Sequence, residues 1–95
     1  MDPDLPDLTI ADVVISTAGR DAGKLFYVLE ADDTFLLLAD GKGRTIEKPK
    51  RKKRKHTKKV LRSETRVAAK IRNGDKVLNS ELRRDLAYLS NNLGG

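Results

Sequence analysis

The chain has 95 residues, a net charge of +6 and an aromatic content of only 4%. This length suits one small domain, and a hydrophobic content of 38% leaves little material for a large enzyme pocket. The absence of cysteine excludes disulfides and cysteine-ligated metal sites. The longest apolar run, residues 35–39, is much shorter than the about 20 residues of a membrane span, so we expect a cytoplasmic protein without a membrane partner.

The charge is sorted along the chain. Residues 1–40 hold nine acidic and two basic side chains, whereas residues 42–62 hold one acidic and twelve basic side chains. Residues 63–95 hold four acidic and six basic side chains. Cations at such density repel one another, so we expect residues 49–62 to form a basic extension that stays extended or mobile until an anion neutralises it. A solvated tail is the alternative, but a basic run between two structured segments favours a nucleic-acid partner.

The front half of the chain predicts a small antiparallel sheet. A flexible acidic arm over residues 1–8 precedes short segments of β-branched and aromatic residues that alternate with turn formers. The predicted strands cover residues 12–16, 25–31, 34–40 and 45–48. The connections are too short for crossover helices, so the strands are antiparallel, and curling into a β-barrel over residues 9–48 would bury the most apolar surface.

The loop between the first two predicted strands carries two glycines, Gly19 and Gly23. A reversal of this length commonly needs a positive φ, which glycine adopts without a Cβ clash. The pair Gly23-Lys24 also resembles the end of a phosphate-binding P-loop. Ala18 and Leu25, however, occupy the positions of the first glycine and of the Ser or Thr that such a loop requires, so nucleotide hydrolysis is not predicted.

The back half, residues 63–95, predicts a helical hairpin. Ser63 is the expected N-cap of a first helix, whose apolar residues recur with helical spacing, and Gly74 is its expected end. A second helix is expected to start at Asn79 or Ser80. Helices of about ten residues are too short to be stable alone in water, so they must pack on each other, on the barrel or on a partner.

The same helix pair permits a DNA-binding interpretation. A helix-turn-helix would direct Arg83 and Arg84 of the second helix to the major groove. Two helices lack the third that usually supports such a unit, so a helical cover for the barrel is favoured.

Residues 13–30, VVISTAGRDAGKLFYVLE, resemble a KOW motif, in which two strands flank a glycine-bearing loop. The G-R-D-x-G-K form of that loop, seen in KOW-containing ribosomal proteins of the large subunit, is matched by Gly19, Arg20, Asp21, Gly23 and Lys24. The continuation LLLADGKGRTIEKPKRKKRKH is similar to that of small bacterial KOW-domain RNA-binding proteins. The resemblance covers most of residues 12–86.

The resemblance implies an α+β chain, in which a small SH3-like antiparallel β-barrel of the KOW type precedes a basic linker and a C-terminal pair of short helices. It also implies a ribosomal or ribosome-associated protein that binds RNA, most often ribosomal RNA of the large subunit. Gly19, Asp21 and Gly23 would shape the turn. The RNA-binding side chains that it implies are Arg20, Lys24, Lys42, Arg44, Lys48, Lys50, Arg51, Lys52, Lys53, Arg54, Lys55, His56, Lys58 and Lys59.

Recognition through phosphates and RNA shape is expected, because exposed aromatic residues for base stacking are scarce. Phe26 and Tyr27 are neighbours in one predicted strand and face opposite sides. One of them is therefore a candidate for the surface, unless loops or helices cover both.

No catalytic group is predicted. His56 is the only histidine, and it lies within the cationic run without a second histidine or a cysteine to share a metal ion. We therefore expect a protein that is not an enzyme and has no metal or cofactor. Two alternatives stay open: an adaptor of the transcription or translation machinery, whose acidic front half binds a protein, and a DNA-binding protein.

Overall fold

The computed structural model describes residues 9–93, which form an α+β fold of one antiparallel sheet and two helices. The five strands are β1 (Asp12–Ser16), β2 (Leu25–Ala31), β3 (Phe35–Ala39), β4 (Lys50–Lys53) and β5 (Thr57–Arg62). A short 3-10 helix (Arg54–His56) links β4 to β5, and helices α1 (Arg66–Asn73) and α2 (Asn79–Leu93) follow. The strand order is β4-β3-β2-β1-β5. The arm predicted over residues 1–8 lies outside the described residues.

The first three strands lie where the sequence predicts them, but the fourth does not. Residues 45–48 form bends, in which the Lys48 amide donates to the Thr45 carbonyl at 3.1 Å and the Ile46 amide donates to the Asn79 side chain at 2.9 Å. The prediction of a strand at residues 45–48 is wrong, because the amides of Ile46 and Lys48 donate to these groups and not to a neighbouring strand. The basic run supplies β4 and β5 instead, which pair with β3 and β1.

β4 forms from four consecutive cations because its side chains alternate between the two faces of the sheet. Lys50 and Lys52 pair with buried leucines of β3, so their aliphatic stems cover apolar surface, whereas Arg51 and Lys53 are exposed. The backbone of β4 forms its hydrogen bonds with β3, while most of the charged groups remain in contact with solvent. Of the two expectations for this run, extended or mobile, the structure shows it extended, as two paired strands of the sheet and not as a free extension.

The sheet is strongly curled but open. In a flat sheet β4 would lie three strand spacings, about 14 Å, from β1. The Lys52 ammonium nevertheless donates to the Ala18 carbonyl, just after β1, at 2.7 Å. The 3-10 helix crosses the same gap, and its His56 carbonyl accepts from the Thr17 amide at 2.9 Å. No ladder joins β4 to β5 within residues 9–93, so the predicted barrel is present only as a curled five-stranded sheet.

Each face of the sheet has its own apolar core, because successive strand side chains point to opposite faces. One cluster consists of Val14, Phe26, Val28, Leu36 and Leu38. The helices cover the other face, where the buried residues are Ala11, Val13, Tyr27, Ala39, Val67, Ala68, Leu82 and Leu86. Phe26 and Tyr27 are both fully buried, so neither is a surface aromatic.

The helix ends follow capping rules, with one difference from the prediction. α1 is capped by Thr65, whose hydroxyl accepts from the Ala68 amide at 3.2 Å, and not by Ser63. It ends at Gly74, which has the left-handed conformation expected of it, with φ of 76°. α2 begins at Asn79 as predicted and, at 15 residues, is longer than expected.

A polar network ties both helices to the sheet. The Tyr27 hydroxyl of β2 donates to Asp85 Oδ2 of α2 at 2.7 Å and lies 2.8 Å from Ser63 Oγ. The Thr65 hydroxyl donates to the same Asp85 oxygen at 2.6 Å. Burial raises the pKa of the Tyr27 phenol above its usual value. Ser63, which does not cap the helix, thus contributes to the attachment of the helices to β2.

Candidate nucleic-acid interface

One end of the sheet collects most of the loops. Because adjacent strands run antiparallel, β1 and β3 end where β2 and β4 begin. The loop of residues 17–24 and the turn of residues 40–44 meet there, beside Lys50 and residues 56–58. We call this surface the loop end.

Asp21 joins the parts of the loop end. Its Oδ2 atom lies 3.0 Å from Lys50 Nζ of β4 and 4.0 Å from Arg44 Nη2 of the turn after β3. The Lys50 ammonium lowers the pKa of the Asp21 carboxyl below its usual value, and the charge of Arg44 adds to this effect. Asp21 therefore holds Lys50 of the basic run and Arg44 of the turn after β3 against the glycine loop.

The glycines of the loop end have the conformations that their turns require. Gly19 and Gly23 have φ of 77° and 88°, as the sequence predicts. Gly41 has φ of 78°, and a Cβ atom there would overlap the Asn79 carbonyl at the start of α2. The turn after β3 is thereby packed directly against α2.

The predicted RNA-binding cations divide into two groups. In the first, the side chains are exposed, and within residues 9–93 none forms an ion pair. These residues are Arg20, Lys24, Lys42, Lys48, Lys53, Lys55 and Lys58. Arg20, Lys24, Lys42 and Lys58 lie at the loop end, so both predicted segments contribute exposed cations to one surface.

In the second group, the side chain already has a partner in the protein or is partly buried. Lys52 is only 7% exposed and donates to the Ala18 carbonyl, while the Lys59 ammonium lies 3.3 Å from a carboxylate oxygen of fully buried Asp12. Arg51 stacks on the Phe35 ring, 3.7 Å from its centroid. Arg44 and Lys50 pair with Asp21 as above, and His56 is half-buried. These side chains support the surface more than they extend from it.

The opposite end of the sheet carries a group of acidic side chains. Glu30, Asp32 and Asp33 are exposed around the turn between β2 and β3. Amide groups of residues 34 and 35 donate to the Asp32 carboxylate at 2.8 and 2.6 Å, which lowers the pKa of that carboxyl. Arg54 belongs to this end, since its guanidinium donates to the Asp32 carbonyl at 2.8 Å. The basic run therefore also reaches the acidic turn, where the charges of Arg51 and Arg54 contribute to the lowered pKa of Asp32.

A groove of about 610 Å³ extends the loop end onto α2. Lys24 and Lys42 line it from the two loops, and Arg83 lines it from α2. Arg83 Nη1 also donates to the Gly41 carbonyl at 2.6 Å. From the sequence, Arg83 was considered only for major-groove readout. The signal that would have placed it is its position directly after Leu82, on the flank of the helix face that packs on the sheet.

A second groove, of about 690 Å³, lies at the α1–α2 connection and is mainly apolar. Leu29, Leu37 and Ile46 line it from the sheet side, and Val77 and Leu78 line it from the connection. Leu78 is 53% exposed and adds to the apolar surface of this groove. The charged residues of this groove are three acids, Glu30, Glu47 and Asp75, and one base, Lys76.

The described part of the chain contains no cluster of three or more His, Cys, Asp or Glu side chains arranged to hold a metal ion. Neither helix of residues 9–93 has the length and apolar character to cross a membrane. No protein-family model matches the sequence, and a search of curated proteins finds no match. The KOW resemblance of residues 12–86 therefore stays a prediction.

Proposed function

We propose that this protein is a non-catalytic RNA-binding protein and that the loop end is its contact surface. The observation that carries the proposal is the contact between two segments far apart in sequence. Asp21 of the glycine loop lies 3.0 Å from Lys50 of the basic run, and exposed cations of both segments surround this contact. A surface on which lysine and arginine outnumber the carboxylates attracts a polyanion and releases its counterions.

RNA phosphates and overall shape are the features read in this proposal. Phe26 and Tyr27 are buried and offer no face to a base. Arg20 lies on the glycine loop, where its planar guanidinium can donate two hydrogen bonds to one phosphate. Recognition of this kind suits folded RNA, whose surface presents phosphates in fixed positions.

The finer assignment is to a ribosomal or ribosome-associated protein of the KOW type, with an SH3-like fold, that acts in the cytoplasm on ribosomal RNA. Its support is the G-R-D-x-G-K loop together with the positive φ of Gly19 and Gly23. The curl of five antiparallel strands, with a 3-10 helix before the last, is compatible with a small SH3-like barrel.

One observation favours a second function, an adaptor that binds a protein. The apolar groove at the α1–α2 connection has an acidic rim and an exposed leucine, Leu78, which are features of protein-binding surfaces. It would bind a protein segment with apolar and basic side chains. This groove lies apart from the loop end, so the two functions are compatible.

The first prediction concerns the salt dependence of RNA binding. The double variant Arg20→Ala/Lys24→Ala removes two exposed cations from the loop end. Its affinity for purified large-subunit ribosomal RNA is expected to fall, and the slope of log affinity against log salt should decrease by about two, one for each lost phosphate contact. Filter binding over a salt series measures both quantities.

A matched control is Arg66→Ala/Lys76→Ala, which removes the same charge from exposed positions on the helical side of the molecule. We expect it to retain the slope of the unaltered protein. Equal slopes for the two double variants would contradict the assignment of the loop end. If duplex DNA competes for the protein as well as RNA does, the DNA-binding alternative is favoured. The ribosomal assignment is tested separately: if the protein does not sediment with the large ribosomal subunit in a sucrose gradient of cell lysate, that assignment is contradicted.

A further inference from the structure

The groove between the loop end and α2 has three cations and little bulk on its walls. Lys24, Lys42 and Arg83 line it, together with Gly23 and Gly43, which have no side chains. The remaining lining residues are Leu25, Asp40, Leu86, Ala87 and Ser90. Among the described lining residues the formal charge is therefore +2, in a space large enough for a nucleotide-sized group.

The one acidic side chain in this lining is already engaged. Asp40 Oδ1 accepts from the amides of Lys42 and Arg44, each at 2.9 Å. The Asp40 carboxylate therefore shapes the turn that carries Lys42. No ion pair joins it to a lining cation within residues 9–93.

Arg83 is held in position and still has donors available. Its Nη1 atom donates to the Gly41 carbonyl at 2.6 Å, which fixes one side of the guanidinium against the turn. In the described residues its other nitrogen atoms have no hydrogen bond and no carboxylate partner. A guanidinium that is oriented before binding loses less conformational freedom when it contacts a phosphate.

We propose that this groove binds one phosphodiester segment of the RNA backbone and that Arg83 is a phosphate contact, beside Lys24 and Lys42. The inference rests on the proposed RNA binding and adds to it a contact from α2. The small residues along the wall allow the backbone to approach, and the three cations surround the phosphate charge. α2 thus has a binding role besides covering the sheet.

The test compares neighbouring arginines on α2. Arg83→Gln removes the charge and keeps a polar side chain at this position. Arg84→Gln removes the same charge one position along, on an exposed side chain that does not line the groove. We expect Arg83→Gln to weaken binding of large-subunit ribosomal RNA about tenfold and to decrease the salt slope by about one. Arg84→Gln should change affinity less than about twofold, because its charge acts only at a distance.

A second measurement does not depend on any substitution. In the unaltered protein, the NMR signal of the Arg83 Nε–H group should shift as RNA is added, while that of Arg84 should stay in place. Equal effects of the two substitutions, or an Arg83 signal that does not shift, would contradict the proposal that this groove binds the RNA backbone. If Arg20→Ala/Lys24→Ala still weakens binding in that case, the proposed function survives the loss of this inference. An unaltered protein that does not bind RNA would overturn both.

Discussion

Lys52 shows that one lysine of the basic run has a structural role. It is buried among cations that are mostly exposed, and its ammonium group donates to the Ala18 carbonyl across the open side of the curl. The adjacent residue, Lys53, points to the other face and is exposed. Two neighbouring lysines in one short strand therefore differ in what they do.

We predict that Lys52→Met destabilises the protein by about 1–3 kcal/mol, because it removes a charged donor from a carbonyl at the start of the glycine loop. Lys53→Met, the matched control, should leave stability unchanged. Urea denaturation measures the difference. If Lys52→Met is as stable as the unaltered protein, the hydrogen bond from Lys52 to the Ala18 carbonyl does not stabilise the curled sheet.

The sequence could not separate these two lysines. The segment KPKRKKRKHTKK is clearly cationic. A strand is predicted from alternating apolar and polar residues, and a run of cations does not show that alternation. The pairing of β4 with apolar β3 decides which lysines cover leucines, and that is a tertiary effect. The glycine conformations were easier to predict, since a tight reversal at Gly19 and Gly23 demands positive φ whatever surrounds it.

At the scale of elements, the junction of the helices with the sheet depends on Tyr27. Its ring lies in the core that α1 and α2 cover, and its hydroxyl donates to Asp85 of α2 at 2.7 Å. Ser63 and Thr65, at the end of β5 and the start of α1, lie around the same hydroxyl. One phenol thus contacts three successive parts of the fold.

The pH dependence of stability should report this phenol. The pKa of Tyr27 is raised in the folded state. The protonated phenol therefore makes its full contribution to the free energy of unfolding below the unfolded-state pKa of about 10. That contribution is lost as the pH rises from the unfolded-state pKa through the folded-state pKa. Tyr27→Phe should be less stable by about 1–3 kcal/mol at pH 7 and lose less further stability between pH 9 and 11.

Tyr88→Phe is the control, since that ring is 66% exposed. It should retain the alkaline decrease of the unaltered protein, as followed by thermal melts across the pH range. Identical alkaline profiles for both variants would contradict the burial effect on Tyr27.

β1, β2, β3 and the start of α2 were predictable because local signals there agree with the fold. The first three strands consist of β-branched, aromatic and leucine residues, and Asn79 precedes a helical apolar pattern. The N-cap of α1 was predicted wrongly because serine is a somewhat better N-cap residue than threonine when only the residue type is considered. Contacts to Tyr27 and Asp85, separated from them by many residues, decide between the two.

At the scale of the whole molecule, the curled sheet and the helices share one core. Val13, Tyr27 and Ala39 of the sheet are buried by side chains of α1 and α2. Without the helices, this face would be exposed along three strands. The candidate interface has the same dependence, because α2 packs against the turn that carries Gly41 and supplies Arg83.

We therefore expect a chain that ends after Arg62 not to fold cooperatively, because its sheet would expose half of the apolar core to water. A chain that ends after Ser90 retains Leu82, Leu86 and Leu89 and should fold like the full chain. Heteronuclear NMR dispersion and the sharpness of thermal unfolding distinguish the two. A well-folded chain of residues 1–62 would mean that the sheet is stable on its own.

The placement of the basic run on β4 and β5 has a consequence for association between copies of the chain. These strands are the two edges of the open sheet, and edge strands can recruit a second sheet by backbone pairing. Arg51, Lys53 and Lys58 are exposed there, so two approaching edges would bring like charges face to face. These cations therefore disfavour edge-to-edge pairing of two copies, and variants that neutralise Arg51, Lys53 and Lys58 should become more prone to aggregate.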